Sequence, residues 1–141
     1  MPNDAVDEPV RLRVVLAVAA GLLAEVCTIL AVGIVFLVHR LFAGAQSPQE
    51  QQAFMMQAGS IVGTLFGAIF TFVMARWVVR KAKGRYMAHA LLVALGAVAI
   101  HVLTSLGAPG GYRMIHAFAD LLKIAAGAVA GMMGGRAGKM A

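Results

Sequence analysis

The chain contains four apolar stretches, each about as long as a lipid bilayer is thick. A transmembrane helix needs roughly 20 consecutive, mostly apolar residues to cross about 30 Å of hydrocarbon at 1.5 Å per residue. The stretches that meet this requirement are residues 14–38, 53–75, 87–106 and 115–133. The pattern therefore predicts an all-α integral membrane protein in which four helices form a bundle.

The composition excludes an ordinary soluble helical domain. Apolar residues make up 61% of the chain and charged residues 13%, whereas charged residues make up roughly 25% of a typical globular domain. The formal net charge of +6 is a feature of many nucleic-acid-binding proteins, but those proteins place their basic residues on one continuous surface. Here the basic residues occupy short gaps between apolar stretches, which excludes nucleic acid as the expected partner.

The distribution of basic residues predicts the orientation of the bundle. If the helices alternate in direction, only Arg40 and Arg113 lie on one side, and nine Lys and Arg residues lie on the other: Arg11, Arg13, Arg76, Arg80, Lys81, Lys83, Arg85, Arg136 and Lys139. Because cytoplasmic loops are rich in Lys and Arg, we expect an up-down-up-down bundle in the cell inner membrane with both termini cytoplasmic. Membrane lipid is the expected partner, and the sequence leaves a homo-oligomer or a larger membrane complex open.

Turn and capping residues predict where the helices begin and end. In the segment 47–50, the Ser47 hydroxyl and the Glu50 carboxylate can form a capping box around Pro48. Gly84 and the Gly- and Pro-rich segment 107–111 are expected to separate the later helices, and the first dozen residues should form a short loose tail. We expect a single domain over residues 1–141, with helices at approximately 10–41, 48–82, 86–106 and 113–134.

Small and polar residues form one stripe along each predicted helix at 100° per residue. The stripes are Gly21, Glu25, Thr28 and Val32; Ser60, Gly63, Gly67 and Thr71; Ala90, Ala94, Ala97, His101 and Thr104; and His116, Asp120, Lys123, Gly127, Gly131 and Gly134. Helices in lipid associate through small residues and hydrogen bonds, so these stripes should face one another. Gly63, Gly67, Gly127 and Gly131 are the expected close-packing positions, within one chain or between two copies.

Depth along the helices predicts a cluster of ionisable groups. Glu25 and Lys123 lie near the middle of their spans, and His101 and Asp120 lie about 7 Å and 6 Å further out at 1.5 Å per residue. We therefore expect Glu25 to pair with Lys123 and His101 with Asp120. The hydroxyls of Thr28, Ser60, Thr64 and Thr104 are placed to add hydrogen bonds.

The other histidines and the cysteine give weaker evidence for a functional site. His101 and His116 differ by about 5 Å in depth, which is awkward for two axial ligands of one haem iron. His39 and His89 lie near span ends, and Cys27 is best read as a small apolar residue. We therefore expect no catalytic residue, no metal site and no cofactor, and the protein is not expected to be an enzyme.

One short segment resembles a known transporter family. Residues 22–26, Leu-Leu-Ala-Glu-Val, resemble part of the first helix of the small multidrug resistance transporters. That resemblance implies a four-helix fold in an antiparallel dimer, with Glu25 binding cationic drugs and protons. It covers five of the 141 residues, and this chain adds a second charged site at Asp120 and Lys123.

Two functions follow from these observations. An intramembrane ionisable group often marks a site that binds protons or ions, which favours proton-linked transport of a small solute or ion, or a channel subunit. In that function Glu25 accepts a proton or cation, and Lys123 is its counter-charge. His101 and Asp120 form a relay toward the outer face of the membrane. The alternative is a non-catalytic membrane scaffold or accessory subunit whose polar residues only pack the helices.

Overall fold

The computed structural model describes residues 13–82, 84–107 and 113–137. Within them the chain forms four α-helices: α1 (Val14–Phe42), α2 (Pro48–Lys81), α3 (Tyr86–Leu106) and α4 (Met114–Ala137). Each helix is long and apolar enough to cross a membrane, so the prediction of an all-α fold with four such helices is confirmed. The predicted loose tail, most of the break at 107–111, and both Lys83 and Lys139 lie outside the described residues.

The helix boundaries follow the capping and turn chemistry of the sequence. The Ser47 hydroxyl accepts a hydrogen bond from the Glu50 amide at 3.3 Å, and the Glu50 carboxylate accepts one from the Ser47 amide at 2.8 Å. This capping box starts α2 at Pro48, as predicted. Between α2 and α3, Gly84 and Arg85 both have positive φ angles, 144° and 48°, which end one helix and redirect the chain.

Two boundaries differ from the prediction. α1 begins at Val14 rather than at residue 10, because Arg13 has a non-helical backbone with φ −83° and ψ 68°; residues 10–12 lie outside the described chain. α4 continues to Ala137 rather than ending at 134. The extra residues include Gly135 and Arg136, and they give the fourth helix a length of 24 residues, which is sufficient for a complete span.

The four helices form a bundle with α1 and α4 at opposite corners. α1 packs against α2 and α3, α4 packs against the same two helices, and α2 also contacts α3. In the described part of the chain the backbones of α1 and α4 do not approach each other. Any direct connection between α1 and α4 therefore has to be made by long side chains that cross the interior.

One end of the bundle carries Arg13, Arg85 and Arg136, and we call it the basic end. Here the start of α1 meets the start of α3, and Gly134 near the end of α4 lies against Tyr86. The opposite end, where α2 begins and α3 ends, is called the cavity end. There the ring of His39 stacks on a phenylalanine of α2 with centroids 3.5 Å apart.

The half of the bundle toward the basic end is packed with small apolar residues. A Cβ added to Gly21 would overlap the carbonyl oxygen of Val93, and one added to Gly127 would lie 2.8 Å from the Cβ of Ala94. Such close backbone approach is how helices associate in lipid. The buried core consists of Ala17, Ala20, Ala75, Val78, Val79, Ala90, Val93 and Ala130.

The outer surface of the bundle is apolar along all four helices. Bulky side chains that remain exposed include Leu30 at 59%, Leu65 at 56% and Leu103 at 66%. A continuous apolar surface of this kind marks contact with a membrane or a partner protein. Together with the helix lengths, it agrees with four helices that are surrounded by lipid.

Candidate functional site

A buried ion pair joins α1 and α4 across the interior of the bundle. The Lys123 Nζ atom donates to the Glu25 Oε2 atom at 2.6 Å, and the two residues are only 1% and 3% exposed. A Cβ at Gly67 would lie 2.8 Å from the Lys123 Cε atom, so the glycine of α2 leaves room for the lysine chain. The contact expected from helix depth is present.

A second acid lies beside this pair and continues the polar chain toward the cavity end. The Asp120 carboxylate is 5% exposed, and its Oδ1 atom lies 3.9 Å from Lys123 Nζ and 2.5 Å from the Nδ1 atom of His101. The four predicted site residues thus form one connected cluster in the described structure. Both proton binding and helix packing are compatible with such a cluster.

His116 extends the cluster by one more imidazole. Its Nδ1 atom lies 3.3 Å from the Nε2 atom of His101 and 3.5 Å from the hydroxyl of Ser105. The sequence placed His116 on the polar stripe of the fourth helix but not among the predicted site residues. The two ring centroids are 5.3 Å apart in an edge-to-face arrangement.

The order of these contacts defines where a proton can sit. The hydrogen bond between His101 Nδ1 and Asp120 Oδ1 needs one proton between the two atoms. The Nε2 atom of His101 and the Nδ1 atom of His116 then share a hydrogen bond that needs one proton between them. The two imidazoles are therefore within hydrogen-bond reach of each other.

The cluster contains more carboxylates than ammonium groups. The cluster contains two carboxylates, Glu25 and Asp120, but only one ammonium group, on Lys123. Uncompensated charge in a low-dielectric interior is costly. One proton bound anywhere among Asp120, His101 and His116 would balance the charge of the cluster.

The four predicted supporting hydroxyls bond to their own helices. Thr28, Ser60 and Thr64 each donate to the carbonyl four residues earlier at 2.6 to 2.8 Å, and Thr104 donates to the carbonyls of Ile100 and His101 at 3.0 Å. Their protons are therefore used locally rather than in the ionisable cluster, because a helical hydroxyl readily reaches its preceding turn.

One of these positions does not have the burial that was expected. Thr104 was placed on the inward stripe of α3, but it is exposed, and the neighbouring Ser105 is buried instead, at 6%. Near the end of α3 the inward face therefore differs by one residue from the stripe drawn at 100° per residue. Ser105 reaches the cluster through His116.

A cavity of about 320 Å³ leads from the cavity end to the ion pair. Its lining includes Glu25 and Thr28, which are buried, and Met56, Thr104 and Arg113, which are exposed. The buried residues form its floor and the exposed ones its mouth. The rest of the lining is mostly apolar and glycine-rich, including Ile29, Val32, Met55, Gly59 and Gly63.

His101 and His116 also line this cavity. Both ends of the polar chain therefore border the same space, Glu25 at the floor and the imidazoles on the wall. Of the predicted packing glycines, Gly67, Gly127 and Gly131 contact neighbouring helices closely, whereas a Cβ added to Gly63 would meet only a methyl group of Val32, at 3.9 Å. Gly63 thus widens the cavity instead of bringing two helices together.

A third imidazole, far from the cavity, caps a helix. His89 is 1% exposed, its Nε2 atom accepts from the Arg13 amide at 3.0 Å, and its Nδ1 atom lies 3.0 Å from the Arg85 carbonyl. It satisfies one of the amides left unpaired at the start of α1. Sequence reasoning saw only a polar residue near a span end, since nothing in the α3 sequence indicates an amide on α1.

Among residues 13–82, 84–107 and 113–137, no group of three His, Cys, Asp or Glu side chains is arranged to hold a metal ion. Comparison of the chain with protein-family models, curated proteins and solved structures finds no match. The site is therefore characterised by its geometry: a four-helix protein, with helices able to span a membrane, that encloses an ionisable chain beside a cavity.

Proposed function

We propose that the protein is a multi-pass inner-membrane protein that links proton binding to the movement of a small solute or ion, as a transporter or as a channel subunit. Its helices alternate in direction, both termini are cytoplasmic, and the basic end faces the cytoplasm, following the positive-inside distribution of Lys and Arg. The cavity then opens toward the opposite side of the membrane. The proposal assigns no catalytic step.

The observation that carries this proposal is the continuity of the ionisable chain. From Glu25 through Lys123, Asp120 and His101 to His116, each contact is 3.9 Å or shorter. The chain begins at a buried carboxylate and ends on the wall of a cavity with an exposed mouth. Ionisable groups in a membrane interior are rare and costly unless they serve a pathway.

Each residue has a distinct role in the proposed function. Glu25 binds a cation or a proton at the cavity floor, and Lys123 neutralises Glu25 when that place is empty. Asp120 holds the imidazole of His101 in the tautomer that presents Nε2 to His116. His116 exchanges protons with water in the cavity.

Proton flux in reconstituted vesicles tests the proposal. Purified protein is placed in liposomes containing a trapped pH-sensitive dye, and gradients of sodium, potassium or butylammonium are imposed. We expect a pH-dependent flux in the wild type that Glu25→Gln abolishes, because the amide cannot bind a proton or hold a cation by charge. Glu50→Gln is the matched control, since Glu50 is exposed and belongs to the helix cap.

A flux that is equal in wild-type, Glu25→Gln and protein-free vesicles under every gradient would contradict transport. That result would favour the second candidate, a membrane scaffold or accessory subunit. The observation on its side is that Lys123 and both carboxylates find oppositely charged or imidazole partners inside the bundle. A scaffold predicts that substitutions in the cluster change thermal stability in detergent while vesicle flux stays at the protein-free level.

A further inference from the structure

The polar groups at the floor of the cavity can accept hydrogen bonds from a ligand rather than donate them. The hydroxyls of Thr28, Ser60 and Thr64 give their protons to backbone carbonyls, so only oxygen lone pairs remain for a ligand. The Glu25 carboxylate is also an acceptor. A ligand that fits this floor has to bring its own N–H donors and a positive charge.

The walls above the floor favour a short apolar group on the same ligand. Ile29, Val32, Met55 and Gly63 line the cavity beside the oxygen acceptors. Apolar pockets with a few oriented polar groups bind ligands of matching polarity. The combination of an acceptor floor and apolar walls suits a small alkylammonium ion.

Lys123 already pairs with the carboxylate that such an ammonium ion would bind. Its Nζ atom is 2.6 Å from Glu25 but also 3.9 Å from Asp120. A shift of about 1 Å would bring the same ammonium group within the usual length of a charge-assisted hydrogen bond to Asp120. Lysine is suited to such a shift because its ammonium is a point charge on a flexible stem.

We propose that a small alkylammonium ion displaces Lys123 from Glu25, and that Lys123 then moves to Asp120 and expels the proton shared by His101 and His116. This inference rests on the proposed function and adds its substrate class and its means of coupling. Lys123 acts as an internal substitute for the cation, and its two positions link the cavity floor to the imidazoles.

Charge and protons balance in this exchange. Before binding, Glu25 and Asp120 are anionic, Lys123 is cationic, and His101 is an imidazolium. After binding, the alkylammonium pairs with Glu25 and Lys123 pairs with Asp120. His101 keeps its Nδ1 proton and passes its Nε2 proton to Nδ1 of His116, while His116 releases its own Nε2 proton to the cavity. The site is neutral in both states.

The charged and titratable groups around the site agree with this exchange. α1 contributes Glu25 and α3 contributes His101. α4 contributes His116, Asp120 and Lys123, and Arg113 lies directly before it, whereas the cavity lining from α2 contains no titratable side chain. Arg113 is exposed at the mouth, where water and salt screen its charge. An imidazolium on the cavity wall repels a bound cation, so loss of its proton favours cation binding.

Proton release on ligand binding tests the inference in detergent. Butylammonium chloride is added to weakly buffered wild-type protein with a pH dye, and binding is followed in parallel by calorimetry. We expect about one proton released per butylammonium bound, and an apparent Kd that falls about tenfold per unit rise in pH while the imidazoles hold the proton. Butanol, which has the same chain without the charge, should release none.

Two uncharged variants separate this exchange from direct competition at Glu25. In Asp120→Asn, Lys123 has no second carboxylate, and in His101→Gln the expelled proton has no holder, so both should lose proton release and the pH dependence of Kd. If both variants release protons as the wild type does, the role assigned to Lys123 is wrong. Glu25→Gln should lose butylammonium binding altogether.

A measurement on the wild-type protein gives a test that does not depend on whether any variant folds. In protein with ¹⁵N-labelled histidine, butylammonium should convert one imidazolium signal to a neutral imidazole, and butanol should leave it unchanged. An unchanged spectrum at saturating butylammonium overturns the inference. If sodium or potassium drives flux while butylammonium neither binds nor releases protons, only the inference fails; absence of every flux and of any proton release removes the proposed function as well.

Discussion

The two halves of the bundle differ in how closely their helices pack. Toward the basic end, alanine, valine and glycine bring the helices into close contact, and apolar residues dominate a buried core that also contains Thr71 and His89. Toward the cavity end, the helices enclose about 320 Å³ bordered by a carboxylate and two imidazoles. The charged cluster lies between the two halves.

This difference indicates what each half can do. The tightly packed half excludes water and holds the helices in register, because small residues allow backbone contact that large ones prevent. The open half leaves room for a ligand and for proton exchange. In the described structure, the buried charges therefore border open space only toward the cavity end.

The largest expected effect comes from breaking the ion pair at the junction of the halves. Lys123→Met leaves Glu25 buried without its partner, which typically costs about 3 to 5 kcal/mol. The double variant Glu25→Leu with Lys123→Met removes both charges and should recover most of that loss. Thermal unfolding in detergent measures both. If the single and double variants are destabilised equally, the loss of stability in Lys123→Met does not come from leaving Glu25 without its partner.

A matched pair of glycines tests the difference in packing between the halves. Gly127→Leu places a side chain against Ala94 and the Ala90 carbonyl, and overpacking of this kind costs about 1 to 3 kcal/mol. Gly63→Leu points toward the cavity, where only Val32 is within 4 Å, and should leave the melting temperature nearly unchanged while blocking flux. If Gly63→Leu destabilises as much as Gly127→Leu, the two halves are equally packed.

The cap on α1 should have a smaller effect. His89→Phe keeps the size of the ring but removes the acceptor for the Arg13 amide, and loss of a cap costs about 0.5 to 2 kcal/mol. His39→Phe is the control, because that ring can still stack on Phe54 at the cavity end. Hydrogen exchange of the first turn of α1 should increase in His89→Phe alone. Equal exchange in both variants would remove the capping role.

The smallest effect on stability is expected from cysteine probes. With Cys27 replaced by alanine, Ser60→Cys should react in membranes with a water-soluble maleimide, because Ser60 lines the cavity. Ala94→Cys should not react, since Ala94 is fully buried in the packed half. Ser60→Cys should unfold close to the Cys27→Ala background, and Ala94→Cys somewhat below it because the added sulfur has little room in the packed half. Labelling of Ala94→Cys, or silence of Ser60→Cys, would contradict the division into a sealed and an open half.

Periodicity and depth were sufficient to predict much of this arrangement. The helices, the capping box at Ser47 and the pairing of Glu25 with Lys123 follow from residue spacing, because a straight helix fixes both the face and the depth of a side chain. The contact between His101 and His116 does not follow, since it depends on how two side chains turn toward each other. The cap formed by His89 depends on a backbone amide of another helix, which carries no sequence signal.

The length of α2 has a consequence for how the cavity is reached. At 1.5 Å per residue, its 34 residues extend about 51 Å, whereas the hydrocarbon layer is about 30 Å thick. Unless strongly tilted, the helix projects past the lipid, and its capped first turns stand beside the cavity mouth. The first turns of α2 carry several glutamines, so a projection at this end would place polar side chains in the water beside the cavity mouth.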